Sequence, residues 1–305
     1  MSILDKIKLR TSPTGRRPPT AVELAPEGIL AASLSSPGAS PVLAFAPLPA
    51  GALVAGVSEP NLRAPEAVAT ALRSALDQVS PRSRYVSAVI PDTSARVFVL
   101  DFDTLPAKTA EALPVLRFRL RRVVPFDVEQ SAVSYQILSQ NRDGVKVLAT
   151  ILPSSILAEY ESAIRAAGYE PGAVLPSALA SLAASDASEP ILAANLGTAS
   201  LTTAITHGNN LLLYRTIELP AEPSEREAEV QRGVAVAAAY FEDRLAAAPT
   251  QLHYSGFAPA HDFAKAIQAA HLPVFEIAPL PSTGAVTTLG PIGFAGVAGA
   301  LAGAA

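Results

Sequence analysis

The chain has 305 residues, half of them apolar and only 16% charged, with a formal net charge of -4. That length suggests two domains, since one hydrophobic core rarely grows beyond ~250–300 residues, and the slight acidity removes any electrostatic case for nucleic acid. The absence of Cys excludes disulfides, thiol catalysis and Cys-based metal sites, and four scattered His make no metal cluster.

Residues 1–19 carry basic side chains without a continuous apolar run, so they read as a flexible tail and not as a secretory signal. Ile3, Leu4, Ile7 and Leu9 among Lys6, Lys8 and Arg10 leave a second reading, a short amphipathic segment touching a membrane surface. Residues 21–24 and 29–34 are expected strands around the turn Ala25-Pro26-Glu27-Gly28, and 42–45 continues their sheet. Beyond a loop over 47–63, Pro65 opens a helix through Val79, with Val68, Ala71, Leu72, Ala75 and Leu76 in its apolar stripe. Residues 85–90 read as a buried strand, and 91–94 as a turn into a strand over 95–102.

A helix over 108–123 follows, kinked at Pro114 or starting after it. Its Arg117, Arg119, Arg121 and Arg122 interleave with Leu116, Phe118, Leu120 and Val123, and Pro125-Phe126 ends it. This arginine face reads either as a solvated surface or as a docking surface for an acidic partner. No aromatic platform accompanies it, which argues against nucleic acid. Strands over 133–138 and 145–152 join at the turn 141–144. A helix over 154–167 is capped by Ser154 or Ser155 and stopped by Gly168. A brief strand over 173–175 and a helix over 177–184 complete the first half.

The second half opens with a β-meander, strands 191–194, 201–206 and 211–217. Its first turn, Asn195-Leu196-Gly197-Thr198, either aims backbone N–H groups and the Thr198 hydroxyl at an anion or is simply tight at Gly197. A long helix over 225–245 faces the core with Val230, Val234, Ala238, Tyr240 and Phe241. A strand over 252–254 runs into Ser255-Gly256, which reads as an ordinary strand-to-helix turn or as part of a pocket. A helix over 260–270, a strand over 274–277 and a loop leading to a small-residue helix within 283–305 finish the chain. The uncharged stretch 291–305 is too short to span a bilayer.

Each half thus begins with three hairpin-linked strands and continues as helix–strand alternation. The first half carries an inserted α/β unit at about 91–138. The expected domains are 20–186 and 187–305, with a ligand cleft between them.

This order, with TLPAKTAEALPVLRFRLRRVVPFDVEQSAVSYQIL over 104–138, VKVLATILPSSILAEYESAIRAAGYEP over 145–171 and the closing GFAGVAGALAGA, resembles the PilM family of the actin-like, FtsA-related superfamily. The resemblance implies a duplicated, ribonuclease H-like α/β fold in two domains with an inserted subdomain of the FtsA/PilM type, called 1C. It also implies two phosphate loops, an adenosine loop and magnesium. At the first phosphate loop the family's Asp-x-Gly-Ser/Thr corresponds to Glu23-Leu24-Ala25-Pro26, followed by Glu27-Gly28. Pro26 offers no N–H, and Glu27 brings negative charge to the γ-phosphate position. The second loop keeps Gly197 and Thr198, but its metal-anchoring Asp is Asn195, a weaker magnesium ligand than a carboxylate. Glu23 and Asn195 are thus poor metal ligands. Ser255-Gly256 stands where the adenosine Gly-Gly would be.

Gly28, Asn195, Gly197, Thr198, Ser255 and Gly256 are therefore the nucleotide candidates, and no catalytic residue is assigned. No cofactor is expected to be required, ATP with magnesium is expected to bind weakly, and hydrolysis to be weak or lost. The resemblance implies a cytoplasmic scaffold at the inner face of the bacterial inner membrane, in type IV pilus or type II secretion assembly. Its partner would be the cytoplasmic tail of a PilN-like bitopic membrane protein, held on the inserted subdomain by Arg117, Phe118, Arg121 and Phe126, with other platform proteins beyond. The alternative is an active actin-like ATPase or sugar-kinase-like phosphotransferase. A serine hydrolase is the poorest option, since no Gly-x-Ser-x-Gly elbow occurs.

Overall fold

The computed structural model describes residues 17–36, 38–185, 189–208, 210–267, 272–279 and 292–302. Its first sheet combines β1 (Thr20–Ala25), β2 (Gly28–Ser33), β3 (Val42–Pro47), β4 (Tyr85–Ile90) and β8 (Glu170–Pro176) in the order β3-β2-β1-β4-β8. Three antiparallel strands lead, and β4 and β8 then run parallel to β1. The second sheet repeats the plan with β9 (Ile191–Leu196), β10 (Ser200–His207), β11 (Asn210–Glu218), β12 (Leu252–Gly256) and β13 (Val274–Glu276), in the order β11-β10-β9-β12-β13.

Helices cover both faces of the first sheet, so β1 and β2 are buried on both sides and read as nearly unbroken apolar runs. Val22 and Leu24 point toward α1 (Pro65–Val79) and α3 (Ser154–Ala166). Ala21 points the other way, toward α4 (Ser177–Leu182) and α7 (Ala295–Leu301). Strand alternation puts Glu23 on that second face, as the one charged residue of β1. In the second sheet, Leu192, Ala194 and Leu196 pack on α5 (Pro223–Leu245) and α6 (Ala260–Ala266), while Ala193 and Ala204 face α4 and the insert.

The insert is a three-stranded sheet, β5 (Arg96–Phe102), β7 (Gly144–Pro153) and β6 (Ser131–Asn141) in the order β5-β7-β6, with α2 (Thr109–Leu120) on one face. It therefore runs to Pro153, past the expected end at 138, because the strand over 145–152 is its central strand. Pro114 lies inside α2 on the solvent side, where the carbonyl it leaves unbonded can be hydrated.

Three further expectations are corrected. Neither Ser154 nor Ser155 caps α3: Pro153 holds the cap position and the Ser154 N–H donates to the Gln130 carbonyl at 3.0 Å. Residues 17–19 are not loose, since the Leu34 N–H donates to the Pro19 carbonyl at 2.8 Å and Pro18 lies over Gly172. The terminal small-residue helix, expected in the second half, packs instead on the first sheet and on α4. Small residues permit this, because a Cβ at Gly299 would sit 1.8 Å from the Ala180 carbonyl oxygen. Residues 1–16, 268–270 and the loop from 283 to 291 lie outside the described residues. No helix among the described residues is long and apolar enough to cross a membrane.

Candidate functional site: the cleft between the two sheets

A cleft of about 300 Å³ opens where the carboxyl ends of β1, β4, β9 and β12 converge, the usual ligand position in such sheets. Its walls are the β1–β2 turn, the β9–β10 turn, a 3-10 turn over Asp92–Ser94, Ser177, Ser255-Gly256 and the start of α7. Leu53, Val54, Phe257 and Ile292 make much of the lining apolar.

The polar floor is set by sheet register. Ser255, Asn195, Thr202 and Thr216 stand opposite one another across β12, β9, β10 and β11, forming one rung. Along it, the Ser255 hydroxyl donates to Asn195 Oδ1 at 3.0 Å, and the Thr202 and Thr216 hydroxyls meet at 2.9 Å. Asn195 Nδ2 and the Thr202 hydroxyl both donate to Asp92 Oδ2, at 3.0 and 2.9 Å. The Ala178 N–H and the Tyr214 hydroxyl donate to Asp92 Oδ1, at 3.0 and 3.2 Å. Burial pushes the Asp92 carboxyl above its ordinary value, opposed by these four donors. Asp92 was missed in the sequence because it sits in an ordinary-looking turn. Its position just past the end of a parallel strand was the available signal.

Glu23 lies beside this group. Its Oε1 accepts from the Ser177 hydroxyl at 2.7 Å, while its buried Oε2 finds no partner and is shut in by Gly296. Desolvation, followed by the neighbouring charges of Asp92 and Glu27, lifts its pKa to about 7. At the mouth the Thr198 hydroxyl donates to Glu27 Oε1, joining the two hairpin turns. Arg226 donates to the Gly197 carbonyl at 3.0 Å and lies 5.7 Å from the Phe257 ring centre, so this cation serves the loop backbone from outside the lining.

Asn195, Gly197, Thr198, Ser255, Gly256 and Glu23 thus meet in one cleft. Gly28 does not line it. A Cβ there would lie 2.5 Å from both the Ala46 carbonyl and the Phe45 ring, so this glycine serves the approach of β3. Gly256, at φ +152°, leaves no room for a Cβ beside the Leu196 carbonyl at 2.5 Å. Acidic side chains line the cleft, and among the described residues no Lys, Arg or His does. The donor set does not suit magnesium: Asn195 Nδ2 faces Asp92, its Oδ1 is already taken, and no group of three metal-type ligands exists among the described residues.

On the insert, Arg117 is turned inward. Its Nη2 donates to the Ser131 carbonyl at 3.0 Å and its Nη1 to the Val128 carbonyl, pinning the segment between α2 and β6. Arg121 pairs with Glu129 at 2.6 Å, and Arg122 lies 5.1 Å from the centre of the Phe118 ring. Phe118 is 60% exposed, whereas Phe126 packs against the insert core. Phe118, Val115, Val123 and Arg119 leave an exposed apolar and basic surface.

No protein-family model matches the sequence, and no curated protein matches it either. Solved structures do. A PilM–PilN type IV pilus biogenesis complex aligns over 95% of this chain and 99% of its own, at 19% identity and a TM-score of 0.74. A Bacteroides thetaiotaomicron protein with an actin-like ATPase fold aligns over 87% and 92%, at 13% identity and a TM-score of 0.53. The fold is actin-like. The cytoplasmic domain of EpsL, an inner membrane component of the Vibrio cholerae type II secretion system, shares it over 79% and 82% of the two chains, at 15% identity and a TM-score of 0.51. In actin-like terms, the cleft described above separates the two duplicated halves, and the β5-β7-β6 sheet is inserted into the first.

Proposed function

We propose that this chain is a non-catalytic adaptor, a pseudo-ATPase scaffold that holds the cytoplasmic tail of a PilN-like bitopic membrane protein. It would work in the inner-membrane platform of a type IV pilus or type II secretion apparatus, as a peripheral protein on the cytoplasmic face. The observation that carries the non-catalytic part is the first hairpin, where Glu23, Glu27 and the N–H-lacking Pro26 replace a phosphate cradle. Phosphoryl transfer needs donors and a metal where negative charge develops. This hairpin supplies carboxylates instead. Support for the adaptor part comes from the near full-length likeness to PilM in its complex with PilN. Phe118, Arg119 and Arg121 are the side chains we assign to the tail; Phe126 supports them from below, and Arg117 holds their segment in place.

Two titration calorimetry experiments test this reading. With Mg-ATP the expected result is weak binding at most and no phosphate release. With a synthetic peptide of the PilN-like tail encoded nearby, binding is expected, and it is expected to weaken at least about tenfold in Phe118→Ala, the size of loss a hot-spot residue gives. Metal-dependent ATP binding with phosphate release would overturn the non-catalytic part. A peptide that fails to bind the wild type would overturn the adaptor part.

A further inference from the structure

We infer that Asp92 is a latch that holds the two halves of the fold closed, so that their relative position is set by the chain itself and not by a nucleotide. Asp92 belongs to the first half, one residue past Pro91 at the end of β4. Three of its four donors belong to the second: Asn195 on β9, Thr202 on β10 and Tyr214 on β11. The fourth, the Ala178 N–H, is on α4, the helix that precedes the second half. All three second-half donors lie on the face of their sheet that looks at the first half.

A carboxylate accepts only, and here both oxygens are filled by donors from four separate elements. Opening the halves by a few ångströms would strip three donors from Asp92 at once, whereas closing them fills both of its oxygens with fixed protein donors. The same closure is reinforced at the cleft mouth by the Thr198 to Glu27 bond, and away from the cleft Arg96 Nη2 of β5 meets Glu218 of β11 at 3.1 Å. A ligand that bridges two lobes stabilises the closed state only by its differential contacts with that state. Here those bridging contacts already exist within the protein.

The chain has no cysteine, so spin labels can be placed cleanly at Ser74→Cys on α1 and Val236→Cys on α5, both exposed. Pulsed electron–electron distance measurement on the wild type should give one narrow distribution, unchanged by Mg-ATP. In Asp92→Ala the distribution should broaden and shift to longer distances while circular dichroism stays native. Asp92→Asn should do so less, because its amide keeps one acceptor but turns a donor toward Asn195. Should Asp92→Ala fail to fold, the double variant Thr202→Val with Tyr214→Phe, which leaves the carboxylate in place, must show the same broadening. A narrow, unshifted distribution in the folded variants would overturn the latch. So would a wild type that is broad until Mg-ATP is added.

Discussion

Glu23 is buried with one oxygen satisfied and the other enclosed, and that asymmetry has a measurable pH signature. Its folded-state pKa of about 7 lies above the ordinary 4.5, so the folded chain binds more protons than the unfolded chain between those values. Stability from this group is therefore full below about pH 4.5 and is lost as pH rises toward 7. The total is about 3 kcal/mol, from 1.36 kcal/mol per pKa unit. Urea unfolding at pH 5 and pH 8 should show this fall in the wild type and a flatter profile in Glu23→Gln. Asn195 yields a second prediction. Replacing it by Asp would set a further carboxylate against Asp92 and remove the donor that Asp92 Oδ2 needs. Asn195→Asp should therefore cost about 3 kcal/mol in the same assay and confer no ATP hydrolysis.

Among the elements, α4 and α7 pack backbone close to backbone. A side chain at Gly299 would have to move backbone, since the obstacle is the Ala180 carbonyl. Gly299→Ala gains about 1 kcal/mol of helix propensity but loses more to overpacking, typically about 1–3 kcal/mol. Thermal denaturation should show a net lower midpoint. Arg117→Ala should free the segment before β6 by removing two charge-assisted bonds, about 3 kcal/mol in all at about 1.5 kcal/mol each. Faster amide exchange over residues 122–131, with the rest of the insert unchanged, is the outcome to look for.

The helices and hairpins were legible because their signals are local: Pro65 and the stripe to Val79 gave α1, and the meander turns gave β9 to β11. The destination of the last helix was not. Its Gly and Ala residues announce close packing without saying against which sheet. Gly28 misled for a related reason, since a glycine that opens a phosphate turn and one that yields to a neighbouring ring look alike in one dimension. Asp92 was hidden because its four donors are spread over residues 178–214.

For the whole molecule, the repeated strand order is what brings the carboxyl ends of β1 and β4 to face the polar rung of the second sheet. The duplicated halves present equivalent turns to a common cleft, and in this chain both turns have been turned toward each other through Thr198 and Glu27. This fold is kept at 19% identity to a chain of a solved PilM–PilN complex because the pattern of buried strand faces, not the loop chemistry, specifies the fold.

The turn that carries Asp92 has a second attachment. Two residues on, the Ser94 hydroxyl meets Tyr160 at 2.9 Å and accepts from Asn61 at 2.9 Å, and the next strand is already the insert. The covalent path from the cleft floor at Asp92 to the inserted sheet, which begins at Arg96, is thus only a few residues long. Under the adaptor role proposed above, a genetic screen for defective assembly should accordingly recover lesions at Ser94 and Tyr160, both buried, alongside those on the outer surface of α2.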